Sequence, residues 1–495
     1  MNVNDLKSKM VSGAIWMTAF RVVERAIGFG SIVVLARVLS PADFGLVAMA
    51  TAIIAILELL GAFSFDAAII QSPNAGKEHL NTVWTISVLM NGFNAAALCA
   101  LALPAAWFYD EARLVPIVYW LAASLLLGGF ANVGVVLFQK EMNFSREFVF
   151  QTSKKLARVI ATLGFALLLG NYWALVFGSI TGAAVTVLLS YVMHPFRPHF
   201  SLVALKELIH FSKWMYLNNL LLFLNRRSPD LIVGKLNGPH SLGLFSMALE
   251  VATTPTMEIV APINRVVFPG FSRMHADLRQ LKDAYLRVAS LVALLAIPAG
   301  VGIAMVALPL VRLAMGEKWL EAVPLIQLLA IYGTLSALAG NSGMLYLSLG
   351  KTRLLATMSA GLVAVLVPGM IIASWKFGAV GAASMFVACS AGILVVDWIV
   401  ISRVLQMRVT EMVRNVVRPA ASAAAMVIAL TAFHQWLQGT HELSVLVELS
   451  VKILIGALVY VSALTMLWLA AGRPSGAERW LLKQMQTFAL RLKKV

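Results

Sequence analysis

Three ionisable residues stand close together in an otherwise apolar stretch near the start of the chain: Arg21, Glu24 and Arg25. At spacings of three and four they share one face of a helix. One carboxylate cannot neutralise two guanidinium groups, so that face stays positive. A planar guanidinium fork holds phosphate oxygens two at a time, and the chemistry expected here is capture of an anionic phosphate or diphosphate. A second polar set, Asn218, Asn219, Asn225, Arg226, Arg227 and Asp230, adds amides that bond sugar hydroxyls and two further cations. Arg226 and Asp230, four apart, also have the spacing of an internal ion pair. Glu58, Glu250 and Glu258 are carboxyls suited to taking up a coupling ion, against a second reading as hydrogen-bonded structural groups. Asp66 and Arg265 are candidates for a gate, with Arg265 equally suited to reaching the interface.

Helices that cross a bilayer must position these charges. Of 495 residues, 60% are hydrophobic and only 13% charged, where soluble domains carry about 25% charged residues. Mean hydropathy is +0.84. Such a chain leaves more apolar surface than water tolerates, which excludes a soluble globular protein. Windows of about 20 apolar residues recur about fourteen times, most separated by short turns. The fold class is therefore an all-α polytopic membrane protein. With the N-terminus in the cytoplasm, about 26 of the 39 Lys and Arg fall in inner segments and about 5 in outer ones. The formal +16 is thus a topology signal, with both termini cytoplasmic, and not a nucleic-acid footprint. Lys154 and Lys155 belong to that inner basic set. A charge near the bilayer centre costs about 2.5–3.5 kcal/mol and persists where it faces a cavity or a partner, which marks Arg21 and Arg25 out from the rest.

An offset of 198 residues lays the sequence over itself. It aligns Trp16 with Trp214, Arg37 with Lys235, Gly45-Leu46 with Gly243-Leu244 and Met49-Ala50 with Met247-Ala248, without gaps. Six spans separate the copies, so both have the same orientation, and a substrate site is expected between parallel repeats. The expected organisation is an N-lobe over 1–200, a C-lobe over 201–405, two additional transmembrane helices over 406–472 and an amphipathic cytoplasmic tail over 473–495. In the tail Trp480, Leu481, Met485, Phe488 and Leu492 oppose Lys483, Arg491, Lys493 and Lys494.

The stretches ARVLSPADFGLVAMA from Ala36, FDAAIIQ from Phe65, PDLIVGKLNGPHSLGLFSMA from Pro229, APINRVVFPGFSRM from Ala261 and MGEKWLEAVPLI from Met315 resemble the polysaccharide-export family of the multidrug/oligosaccharidyl-lipid/polysaccharide transporter superfamily, and within it the exporters of the colanic-acid type. The resemblance runs over essentially the whole length. It implies two six-helix lobes in a V-shaped, multidrug-exporter-like (MATE-like) architecture, with two extra C-terminal helices. It implies flipping of undecaprenyl-diphosphate-linked oligosaccharide repeat units across the bacterial inner membrane, by alternating access through a cationic central cavity lined by the first helix of each lobe. Partners implied are that lipid-linked oligosaccharide, membrane lipids, and polysaccharide polymerase and co-polymerase proteins.

Other chemistry finds little support. Cys99 and Cys389 lie far apart within apolar runs, and the eight His lack metal-ligand spacing, so neither a disulfide, a metal nor a cofactor is expected. LSLGKT from Leu347 approximates a phosphate loop, but Leu345 stands where the leading glycine belongs. No HExxH or GxSxG is present, so an enzyme is not expected. Gly178 and Gly182 form a GxxxG suited to helix packing. The N-terminal stretch lacks the short apolar core of a cleaved signal peptide. The alternatives are a cation-coupled multidrug exporter of the same superfamily, against which the cationic wall argues, and a membrane-bound polysaccharide polymerase or ligase, which would need a large outer loop.

Overall fold

The computed structural model describes residues 3–60, 69, 76–274, 277–440, 443–473 and 478, apart from the side chains of 3–15, 17–19, 22, 58–60, 206–226, 265, 266 and 438–440. Every regular element among the described residues is helical: α1 (Val3–Val38), α2 (Pro41–Leu60), α3 (Lys77–Tyr109), α4 (Leu114–Gly129), α5 (Leu137–Lys140, after a 3-10 turn at Val133–Val136), α6 (Phe144–Leu169), α7 (Trp173–Met193), α8 (Leu205–Met274), α9 (Leu278–Ala314), α10 (Val323–Ser348), α11 (Thr352–Val404), α12 (Val409–Thr440) and α13 (Val445–Ala470). In a bilayer only helices or closed barrels satisfy every backbone polar group. Seven of these elements are long and apolar enough to cross a membrane, or eight if α4 and the segment Val133–Lys140, bent by 67°, form one broken span.

Two helices are too long for a single crossing. α8 has 70 residues and α11 has 53, against about 20 for a bilayer. Each is broken at a glycine: Gly238 has φ 78° and ψ 178°, and Gly378 has φ 64° and ψ −151°. A side chain there would strain the backbone, so glycine permits the break. Pro239, which has no N–H to give, then opens the next helical stretch.

The start of α2 follows the same logic with a side-chain cap. Ser40 N donates to Asp43 Oδ2 at 2.8 Å, Ser40 Oγ to the same oxygen at 2.6 Å, and Pro41 takes the first helical position. Asp43 Oδ1 accepts the Tyr172 amide at 2.9 Å, which ties the start of α2 to the start of α7.

Two compact units divide the chain, Met1–Gly243 and Leu244–Val495. In the first, α6 and α7 meet through small residues. A Cβ on Gly178 would strike Thr162 Oγ1, and one on Gly182 would lie 3.0 Å from the Arg158 side chain, so the GxxxG is a packing face. The connection from α7 to α8 is pinned along α3: His199 N donates to Asn81 Oδ1 at 3.2 Å, and Ser201 N to Thr85 Oγ1 at 2.9 Å. Those contacts account for buried polar residues on a membrane helix. In the second unit, α9 and α10 close through Gly300 against Thr334, and Tyr460 Oη of α13 donates to the Leu294 carbonyl of α9 at 2.8 Å.

The 198-residue repeat has a direct physical expression inside the first unit. A Cβ on Gly45 would run into the Pro239 carbonyl, and a Cβ on Gly243 would run into the Pro41 carbonyl. Pro41 and Pro239, like Gly45 and Gly243, are the same positions of the two copies. The contact is therefore reciprocal, with two equivalent turns crossing at their glycines.

Candidate functional site

The first element to position the site is α1. Its side chains pack on α6: the Trp16 and Phe148 ring centroids are 5.1 Å apart, and the Phe20 ring meets Phe148 edge-on at 6.4 Å. Two turns further along, Lys155 Nζ donates to Glu24 Oε1 at 3.1 Å. Gly28 lies beside that lysine: a Cβ there would be in ordinary contact with its Nζ, at 3.6 Å. Lys155 lies eleven residues into α6, about 17 Å at 1.5 Å per residue, near the middle of the helix. Lys154, beside it, stands over the Phe150 ring at 5.6 Å and is within electrostatic reach of Glu24.

Arg21 is half-buried and Arg25 exposed on the same stretch of α1. The middle of this helix pair carries Arg21, Arg25, Lys154 and Lys155 beside Glu24, with Glu147 of α6 also within electrostatic reach of Lys154. These four cations outnumber the two carboxylates. Sequence reasoning had placed Lys154 and Lys155 among the inner topology residues. Lys155 in addition pairs with Glu24, 131 residues away, which no local pattern reveals.

The second polar set is placed differently. Arg227 Nη1 donates to Asp230 Oδ2 at 3.0 Å, three residues apart, so Asp230 pairs with Arg227, one residue along from the Arg226 expected. Both are half-buried in the stretch of α8 that precedes Gly238. Nearby, the buried Tyr109 hydroxyl at the end of α3 has no hydrogen-bond partner, and Lys235 Nζ stands 5.6 Å over the Phe108 ring. The Arg227–Asp230 pair is internal to α8. The side chains of Asn218, Asn219, Asn225, Arg226, Glu58 and Arg265 lie outside those described, and Asp66 lies outside the described residues altogether. Glu250 and Glu258 are exposed on α8 in the second unit, where Thr254 Oγ1 donates to Glu250 Oε1 at 3.5 Å.

The second unit contains a cavity of about 740 Å³, walled by α9, α12 and α13. Leu295, Ile303, Met426, Ile453, Val461 and Leu464 are among its apolar lining, with Lys452 and Glu478 as the charged exceptions. Both are neutralised: Lys452 Nζ donates to Glu448 Oε1 at 2.6 Å, and Glu478 Oε1 forms an ion pair with Arg418 Nη1 at 3.0 Å. Such a groove takes a hydrocarbon chain in preference to a polar one.

Seven helices long and apolar enough to cross a membrane, among the described residues, define a multi-pass, helical membrane protein. Residues 34–324 match the family described as polysaccharide biosynthesis protein, and the chain belongs to that family. It is 26% identical over 385 residues, 76% of this chain and 77% of the relative, to the lipopolysaccharide biosynthesis protein WzxC of Escherichia coli strain K12. It is 28% identical over 308 residues, 61% of this chain and 62% of the relative, to the succinoglycan biosynthesis transport protein ExoT of Rhizobium meliloti strain 1021. Among solved structures, its backbone is similar to the lipid II flippase MurJ in an inward closed conformation, with TM-score 0.73 and 12% identity over 94% of this chain and 100% of that one. An inward-facing multidrug resistance MATE family transporter of the MOP superfamily gives TM-score 0.57 and 16% identity over 79% of this chain and 96% of that one. At these identities the two likenesses establish the fold.

Proposed function

We propose that this protein flips undecaprenyl-diphosphate-linked oligosaccharide repeat units across the bacterial inner membrane, by alternating access through a cationic cavity. The observation that carries the reading is the excess of cations at the middle of α1 and α6. Glu24 offsets one charge through Lys155, and the cationic face as a whole complements the negative charge of a diphosphate. In this reading Arg21 and Arg25 hold the diphosphate and Glu24 orients Lys155. Asn218, Asn219, Asn225 and Arg226 bond the sugars, and the Arg227–Asp230 pair borders them. Asp66 and Arg265 serve as gate residues. The apolar groove of the second unit gives the polyprenyl tail a surface of matching chemistry. Lobes over 1–200 and 201–405, with additional helices over 406–472 and a tail over 473–495, form the working halves and their extensions. Both termini are cytoplasmic, and the product passes to polymerase and co-polymerase proteins. The names carried by WzxC and ExoT support polysaccharide precursors as the cargo.

The test is deletion of the gene followed by extraction of lipid-linked intermediates, with complementation by Arg21→Ala, Arg25→Ala and Arg25→Lys. Repeat units are expected to accumulate on the inner leaflet in the deletion and in the alanine variants. Normal polysaccharide with altered drug resistance would favour the multidrug exporter instead.

A further inference from the structure

In the second unit, α9, α10 and the end of α11 converge on one carboxyl. Asp397 is 4% exposed, and Tyr346 Oη donates to its Oδ1 at 2.7 Å. Ser342, one turn before Tyr346, also faces the carboxyl, and its hydroxyl lies 3.3 Å from Tyr285 Oη. Asp397 Oδ2 is buried and has no hydrogen-bond partner. The surroundings are apolar, with Val267, Phe271, Leu281, Leu345, Ile401 and Leu405 in the same core. Tyr285 from α9 and Tyr346 from α10 are the titratable groups that face Asp397, and among the described residues no Lys, Arg or His pairs with it.

The other buried ionisable groups are provided for. Glu478 has Arg418 and Lys452 has Glu448. Glu147 accepts from Gln139 Nε2 at 3.1 Å and from Gln151 Nε2 at 2.6 Å. Asp397 has only neutral hydroxyls around it, those of Tyr346 and Ser342, and among the described residues no cation. An unpaired carboxylate in an apolar site is too costly to keep ionised, and such a group neutralises itself by binding a proton. Asp397 stands seven residues before the end of α11 at Val404, about 10 Å along the helix, close enough to the surface for exchange with water when these helices part.

We infer that Asp397 is a proton-binding carboxyl that takes up one proton from water and returns it to water during each transport cycle, with Tyr346 and Ser342 fixing its orientation. The proton binds the carboxylate and leaves as it came, with no change of oxidation state. Binding stands independently of the proposed cargo, whereas coupling to transport rests on the flippase reading.

The experiment is infrared difference spectroscopy of the full-length protein in lipid nanodiscs, titrated with pH in sodium-free and sodium-containing buffer. A protonated carboxylic carbonyl band is expected in the wild type and in Glu250→Gln and Glu258→Gln. It should vanish in Asp397→Asn, and Tyr346→Phe should keep the band but move its midpoint, a change that does not depend on the Asn variant folding. Survival of the band in folded Asp397→Asn, or its loss on adding sodium at constant pH, would overturn the proton site. In cells, polysaccharide export by Asp397→Asn that still collapses with a protonophore to the wild-type extent would overturn the coupling alone. If lipid-linked intermediates never accumulate in the deletion strain while the band behaves as expected, the cargo reading fails and the proton site stands.

Discussion

Arg21, Glu24 and Arg25 announce themselves in the sequence because charge is conspicuous in an apolar run and their spacing fixes a shared face. Lys155 does not, because a lysine that follows a basic loop looks the same whether it stays at the surface or reaches a partner 131 residues away. Asp397, a lone carboxylate inside VVDWIV, carried the same signal of costly burial as Arg21 yet had no neighbouring charge to draw notice. At this scale the account makes a graded prediction. Arg25→Ala is expected to weaken headgroup affinity about tenfold to hundredfold, the cost of one hydrogen bond to a charged group, and Arg25→Lys by less, since it keeps charge but loses the fork. Glu24→Gln leaves Lys155 without its counter-charge and should tighten binding of a free diphosphate. Calorimetric titration of the purified protein measures all three.

Among the elements, the approximate positions of the helices could be read from apolar windows, and the 198-residue offset from paired positions such as Gly45 and Gly243. The reciprocal crossing of those glycines could not be read, because the offset says which residues are equivalent and not that they touch. Gly45→Ala and Gly243→Ala each force a methyl against the carbonyl of the proline in the other copy. Both are expected to destabilise by similar amounts, about 1–3 kcal/mol, seen as lowered melting temperatures in detergent. A marked difference between the two would contradict the equivalence. Gly178→Ala should destabilise as well, and Thr162→Ala added to it should restore part of the loss, because the clash is with Thr162 Oγ1. Gly238→Ala tests the break in α8, with about 1–2 kcal/mol of backbone strain expected at its positive φ.

For the whole molecule, composition alone was enough to require a lipid-embedded bundle, since a chain 13% charged has no other way to meet its solvent. The breaks of α8 at Gly238 and of α11 at Gly378 agree with apolar windows separated by short turns, but which residue carries each break was not legible. The apolar groove between α9, α12 and α13 was equally hidden, since a cavity depends on which faces meet and not on which residues are apolar. The most direct test of the cationic mid-helix site is transfer of a fluorescent undecaprenyl-diphosphate oligosaccharide across vesicles containing the reconstituted protein. Wild type should expose the probe to an externally added quencher, the Arg21→Ala, Arg25→Ala double variant should not, and a probe with a neutral headgroup should be carried by neither. Equal transfer by wild type and double variant, or equal transfer of the neutral probe, would contradict it.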